Sequence, residues 1–428
     1  MCVENECAEA AATFDPPRLS VDPSGSGDGS NCEGVVLIPG FLSPSSSHDD
    51  MYWGEALEVG RDYSGLLKVI PTHPSGVSSL HDRAVQIYYE LVGGRIDYGA
   101  AHAEEHGHSR FGKVIDCPKF PQWSAENPVH LVGHSFGGNT ARFLAHLLES
   151  GFFGPGKKKW VRSISTISSP LNGATAVYAF GAKLRRGQRE RSEVISLSAG
   201  FLLGCLVHII SYLGFASVFR VDQWNLGAFS RPSSLQKFIN RSAHLLKSIF
   251  IYSPLFEGHD CANFDMTVHR SRELNEEMAK TCREVYCFSF VGTWKDDSSP
   301  QNFRARFAAA FMHCINLFVS AKLNCVHERT RGCVENYDAM KWMQSGTDGL
   351  VSTWSQSYPR SRATQARFME TLEDLRCHRC KFSKGVWNVF TTTENHLGVV
   401  PFPKCAKRQM AFFESLFWRL ANLTNNEQ

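Results

Sequence analysis

Five residues, Gly133-His134-Ser135-Phe136-Gly137, constrain this 428-residue chain more than any other feature. They follow an apolar run, Pro128 to Val132, and open a stretch in which Phe136, Thr140, Phe143, Leu144 and Leu147 recur at helical spacing. A strand that turns at once into a helix around Gly-x-Ser-x-Gly lifts the serine hydroxyl onto a tight turn. Backbone N–H groups there can hold a developing negative oxygen. The glycines are required because a side chain at either position would clash across so sharp a turn. A pattern with three fixed positions is weak alone; the strand before it and the helix after it give it weight.

The rest of the chain supplies the sheet this turn needs. Short apolar runs at Gly34–Ile38 and Leu66–Ile70, and others beginning at Val161 and Val285, alternate with helical segments. That alternation predicts an α/β fold with a mostly parallel central sheet and crossover helices. Phe413, Leu416, Phe417 and Leu420 share one face of a closing amphipathic helix. Residues 1–33, rich in Ser, Gly, Pro and Asp, read as a disordered tail, and residues 34–428 as the folded domain. With 43% hydrophobic residues a sizeable core is available, and a net charge of +3 argues against nucleic acid as a partner. Met1 to Ser20 lacks the apolar stretch of a secretory signal, and the 14 cysteines are scattered. Both favour reduced thiols in an intracellular setting, cytoplasmic or peripheral to a membrane. Cys377-x-x-Cys380 has no second such pair, so it reads as an unpaired loop motif, with a zinc or redox pair as the alternative.

A serine hydroxyl becomes a nucleophile only when a base takes its proton, and a carboxylate must orient that base. In α/β-hydrolases the chain order is Ser, then Asp or Glu, then His. Downstream of Ser135 the chain offers Asp348 in "SGTDGLVST" and His396 in "TTTENHLGVV", both in loops before or after apolar stretches. Singly, each is an ordinary turn or loop residue; their order and spacing make a triad the better reading. An oxyanion hole needs two converging N–H donors. The expected donors are Phe136, directly after the serine, and Phe41 in the loop after the first core strand.

Two further segments stand out. Asp82 lies upstream of a dense cluster, His102, His106 and His108, which is either a metal site or a solvated loop. Val194 to Phe219 is almost wholly apolar for 26 residues and follows Lys183, Arg185, Arg186, Arg189 and Arg191. A membrane span satisfies length and flank. It would, however, separate the serine from the later strands across a bilayer. A lid over the site, apolar inside and able to meet lipid, is the preferred reading.

With these residues in place, the chain resembles the zinc-containing lipases of the staphylococcal and Geobacillus type, in a eukaryotic, plant-like intracellular relative. "LVGGRIDYGAAHAEEHGHSRFGK" is similar to that family's zinc-subdomain segment, and "LFEG", "VDQWNL", "FDMTV", "ELNEEM", "TDGLVST", "GVWN" and "NHL" follow in the family's order. The resemblance implies an α/β-hydrolase fold with a helical lid at about 175–221. It also implies a zinc subdomain built from about 72–112 and 222–270, with Trp224 nearby. It implies a Ser135, Asp348, His396 triad, an oxyanion hole at Phe41 and Phe136, and structural Zn2+ on Asp82, His102, His108 and Asp265. The implied activity is hydrolysis of lipid esters of the triacylglycerol kind; the basic, apolar stretch 183–219 suits reversible contact with a membrane or lipid-droplet surface. Alternatives are acyl transfer, a phospholipid or galactolipid substrate, or a non-catalytic lipid sensor; an intact Ser, Asp and His argues against the last. The chain departs from the bacterial pattern at Gly133 and Phe136, where Ala and Gln are usual. Gly398 stands where an acidic calcium ligand is expected, which counts against calcium dependence.

Overall fold

The computed structural model describes residues 32–43, 52–185, 191–212, 257–294, 346–377, 380–398 and 406–425, with short pieces between them. The tail expected over 1–33 therefore lies outside the described residues except for Cys32 and Glu33, and Glu33 already opens the first strand.

In chain order, β1 is Glu33–Ile38, α1 Glu55–Asp62, β2 Leu67–Pro71, α2 Leu80–Val92, β3 Gly94–Asp97, α3 Ala100–His106, β4 Phe111–Ile115, β5 Val129–His134 and α4 Phe136–Ser150. Then come β6 Val161–Ile167, α5 Ala176–Ala179, β7 Ala182–Arg185, β8 Arg191–Val194, α6 Ala199–Ile210, β9 Glu257–Gly258 and α7 Ala262–Asp265. The later elements used below are α8 Val268–Glu277, β10 Tyr286–Gly292, α9 Thr353–Ser357, β11 Gln365–Phe368, β12 Val386–Thr392 and α10 Ala406–Asn425.

Seven strands form one sheet in the order β11-β12-β10-β6-β5-β1-β2, and every adjacent pair is parallel. All six residues of β1 and of β5 are buried, as a strand covered on both faces requires. On one face, Leu80, Ile87 and Leu91 of α2 and Leu144 of α4 pack with Val36 and Leu131 of the sheet. On the other, Trp53, Ala56 of α1, and Phe413, Leu416, Phe417 and Leu420 of α10 cover Leu37, Val132 and Phe288. This is an α/β-hydrolase fold, with the serine turn between β5 and α4 at the C-terminal edge of the sheet.

Two small antiparallel sheets decorate it, the β3-β4 hairpin and β7-β8-β9. The long apolar run resolves into strand β8, which ends at Val194, and the twelve-residue helix α6; residues 213–219 lie outside the described residues. Ser198 caps α6 by accepting the Phe201 N–H. No described helix is long and apolar enough to cross a membrane. Val207 on the inner face of α6 packs with Val77 and Leu255, and Phe41 and Trp224 border that cluster.

Candidate active site and metal centre

Ser135 sits at φ 55° and ψ −130°, a left-handed backbone that a residue with a side chain adopts at a cost of about 1–2 kcal/mol. The turn is held open for it by its neighbours. A Cβ on Gly133 would collide with the Gly137 carbonyl, and one on Gly137 with the Ile38 carbonyl. Gly40, on the facing loop, comes so close that a Cβ there would lie 2.8 Å from Ser135 Cβ.

The C-terminal ends of β5, β10 and β12 then bring three distant side chains into line. His396 Nε2 lies 3.0 Å from Ser135 Oγ, and His396 Nδ1 lies 2.7 Å from Asp348 Oδ2. The His396 N–H also donates to the Asp348 carbonyl at 2.8 Å, so backbone and side chain agree on the ring's direction. Asp348 Oδ1 accepts the Leu350 and Val351 amides at 3.0 and 2.8 Å, which leaves Oδ2 for the imidazole. All three residues are buried, where hydrogen bonds of this kind are strong. Phe41 stands in the loop after β1 and Phe136 at the start of α4, directly after the serine.

The residue before the serine takes part as well. His134 Nδ1 lies 2.6 Å from Tyr52 Oη, and its Nε2 lies 2.9 Å from the His396 carbonyl. Burial, aided by nearby His396, pushes His134 down to about 3, so the ring is neutral. The sequence offered no reason to single out Tyr52 or this variable position of the motif.

A second constellation lies beside α2. Asp82, His102, His108 and Asp260 each present one ligand atom, and these atoms lie within 4.8 Å of one another. His102 Nε2 is 3.3 Å from Asp82 Oδ1 and from Asp260 Oδ1, and His108 Nε2 is 3.3 Å from Asp260 Oδ2. None of these atoms has a hydrogen-bond partner in proper geometry, although all are shielded from water. Orphaned donors and acceptors facing one centre suit a cation rather than one another. Outer contacts point the same way. His108 Nδ1 lies 2.9 Å from the Ser109 carbonyl, which leaves Nε2 as the ligand nitrogen, and Gln223 Nε2 donates to Asp82 Oδ2 at 2.7 Å. Burial, with the Asp260 charge adding to it, pushes the Asp82 carboxyl up. For Asp260 burial acts upward too, but His102 and His108 outweigh it and hold the group well below the usual range. Two nitrogens and two carboxylate oxygens fit a divalent metal.

The expected fourth ligand, Asp265, is not in this cluster; Asp260 stands there in its place. Asp265 closes α7 and turns toward the start of α2, where its Oδ2 accepts the Leu80 N–H at 2.7 Å. His106 also stays outside the set; it closes α3, its ring 4.5 Å from that of His102. Trp224 borders the Val77 cluster, and its neighbour Gln223 is the residue that reaches the Asp82 carboxylate.

A serine raised on a strand-to-helix turn, with an imidazole and a carboxylate in line behind it, is the arrangement that serine-type α/β-hydrolases use. Residues 31–403 match the family described as "Lipase-like, C-terminal domain", and the chain belongs to it. It is 26% identical over 376 residues to a lipase of Staphylococcus hyicus, covering 82% of this chain and 50% of that protein. It is 40% identical over 266 residues to Lipase 2 of Staphylococcus aureus, covering 56% of this chain and 35% of that protein. The chain thus spans about half the length, or less, of these curated relatives. The crystal structure of Staphylococcus hyicus lipase superposes with a TM-score of 0.65 at 22% identity, covering 97% of this chain and 100% of that one. Lipase 1 from Pelosinus fermentans does so with a TM-score of 0.59 at 22% identity, over 91% and 99%.

Proposed function

We propose that the protein hydrolyses carboxylic esters of lipids, with Ser135 as nucleophile, His396 as general base and Asp348 as the group that orients it. The hydrogen-bonded line from Asp348 through His396 to Ser135 carries this reading. His396 Nε2 takes the Ser135 proton as Oγ bonds to the acyl carbon, and the carbonyl oxygen becomes an oxyanion. The Phe41 and Phe136 N–H groups, which have no acceptor among the described residues, donate to it. Protonated His396 then gives the proton to the departing alkoxide. Water, deprotonated by the same imidazole, attacks the acyl-enzyme and releases the fatty acid and free Ser135. The names of the similar staphylococcal proteins support an ester bond in a lipid as the target.

Zinc is the metal we assign to Asp82, His102, His108 and Asp260. Four protein ligands complete a tetrahedral shell and leave no position for substrate, so the ion would act as a cross-link. It would fasten the segment from α2 to β4 to the segment around α7.

Leu202, Leu206 and Ile209 lie on the outer face of α6 and are each more than 40% exposed, with Leu197 beside them at 81%. A row of this kind on the helix that borders Phe41 suits contact with a lipid surface.

Treatment of the protein with a fluorophosphonate, followed by peptide mass analysis, tests the assignment. Stoichiometric labelling at Ser135, with loss of ester hydrolysis in both the labelled protein and Ser135→Ala, is the expected result. Undiminished turnover by Ser135→Ala would overturn it.

A further inference from the structure

The loop that carries Phe41 is tied down one peptide earlier, from both ends. The peptide between Pro39 and Gly40 has one carbonyl and one N–H. Its carbonyl accepts from Arg83 Nη2 at 2.5 Å, and its N–H donates to Tyr52 Oη at 2.8 Å. The next peptide has its carbonyl, Gly40 O, held by Ser43 Oγ at 3.0 Å, and the Leu42 N–H beyond donates to the Gly76 carbonyl at 2.8 Å. Among the described residues, the Phe41 N–H is the one polar group of these two peptides with no hydrogen-bond partner.

We propose that Tyr52 and Arg83 are positioning residues that clamp the Pro39–Gly40 peptide and so aim the Phe41 N–H at the oxygen that turns negative when Ser135 attacks. This rests on the reading of Phe41 as an oxyanion donor.

Each end of the clamp also reaches a different part of the reacting group. Arg83 Nε donates to Thr140 Oγ1 at 2.9 Å, and that hydroxyl donates to the Phe136 carbonyl at 3.0 Å. The Arg83 guanidinium stands 5.2 Å from the centre of the Phe136 ring. One cation thus holds the peptide ahead of Phe41 and, through Thr140, the carbonyl of Phe136. Tyr52 works on the other side. Because its oxygen accepts from Gly40, its own proton goes to His134 Nδ1, and His134 Nε2–H is then free to donate to the His396 carbonyl. Three hydrogen bonds run from the Phe41 loop to the backbone of the imidazole that serves Ser135. Such chains polarise one another and hold their members rigid.

Packing alone does not call for this arrangement. Arg83 is fully buried, and its hydrogen-bond acceptors are the Ser75 and Pro39 carbonyls and the Thr140 hydroxyl, with no carboxylate among them. Burying a guanidinium without an opposing charge costs free energy that an apolar side chain would avoid. A site in which a negative oxygen appears transiently, and in which donors must be fixed beforehand, gives the charge and the fork a use.

The test uses the full chain with a water-soluble p-nitrophenyl ester and a trifluoromethyl ketone that forms a tetrahedral adduct with serine. Tyr52→Phe keeps the ring against Trp53 and removes only the hydroxyl. The expected result is a kcat lower by about 10-fold with KM within about twofold, and ketone affinity weakened by the same factor as kcat, since misplacing a group by under an ångström costs this much. Arg83→Lys, which keeps the charge but loses the fork, is expected to split the same way. Should Arg83→Lys fail to fold, Tyr52→Phe alone decides. Unchanged kcat and ketone affinity in a folded Tyr52→Phe overturns the clamp, as does a loss confined to KM or to melting temperature. Wild-type protein that hydrolyses the ester and labels at Ser135 while the variants behave like it overturns the clamp only. Wild type that does neither overturns the underlying reading, and the clamp with it.

Discussion

Asp265 Oδ2 accepts the Leu80 N–H at 2.7 Å, joining two residues 185 positions apart. The bond satisfies one of the free amides at the start of α2, while Ser79 Oγ accepts that of Asp82. Asp265 thereby fixes the turn on which Asp82 is mounted without itself joining the cluster of Asp82, His102, His108 and Asp260. Asp260→Ala is therefore expected to lose bound zinc, measured by plasma mass spectrometry on purified protein. Asp265→Asn is expected to keep its zinc while melting at a lower temperature, the loss being about 1–2 kcal/mol for a weakened cap. Full zinc in Asp260→Ala would remove that residue from the site.

The serine turn makes a steric prediction. A methyl group on Gly137 meets the Ile38 and Pro39 carbonyls, which are backbone and cannot swing aside. Gly137→Ala is expected to cost more than about 3 kcal/mol or to abolish soluble expression. Gly154→Ala has open space and only its φ of 98° against it, so about 1–2 kcal/mol is expected. Thermal melts of the two variants compare them directly.

Glu33 supplies a pH dependence. Burial acts to raise its pKa, but His130 and Arg162 outweigh that and lower it from 4.5 to about 2. Arg162 Nε lies 2.9 Å from Glu33 Oε1, and His130 Nε2 3.0 Å from Oε2. A carboxyl whose folded pKa is depressed stabilises fully above its unfolded value. Its contribution, at most about 3 kcal/mol, then disappears as pH falls from about 4.5 to about 2. Glu33→Gln should lower stability at pH 7 and flatten this acid limb in denaturant titrations. An unchanged limb would mean that Glu33 does not contribute to it.

Outward leucines on α6 allow a separation of surface binding from chemistry. Leu202→Ser with Leu206→Ser is expected to reduce binding to phosphatidylglycerol vesicles and turnover of emulsified ester by about tenfold, with hydrolysis of a dissolved short-chain ester unchanged. Retained vesicle binding would locate the contact elsewhere.

How much of this the chain discloses by itself depends on whether the constraint is local. The Gly133 to Gly137 turn, strands β1, β2, β5, β6 and β10, and the stripe of Phe413, Leu416, Phe417 and Leu420 follow from spacing within a few residues. β12 and the edge strand β11 carry no such local signal, because "VWNVFTT" and "QARF" lack strong alternation and are defined by pairing with β10 and with each other. Asp260 and Asp265 are both acidic and five positions apart, and nothing local tells ligand from cap; the choice is made by His102, His108 and Leu80 across the fold. The contacts of Tyr52, Arg83 and His134 have no local signature for the same reason, since each is made to backbone groups on other elements.

Ser135 and His396 are separated by 261 positions. During synthesis the hydroxyl is complete long before its imidazole exists, and the turn between β5 and α4 waits for β12 to take its place beside β10. On the proposed mechanism, a nascent chain, or any fragment ending before position 396, therefore holds a serine without its base. The last strand of the sheet works as a built-in delay between making the reactive residue and switching it on.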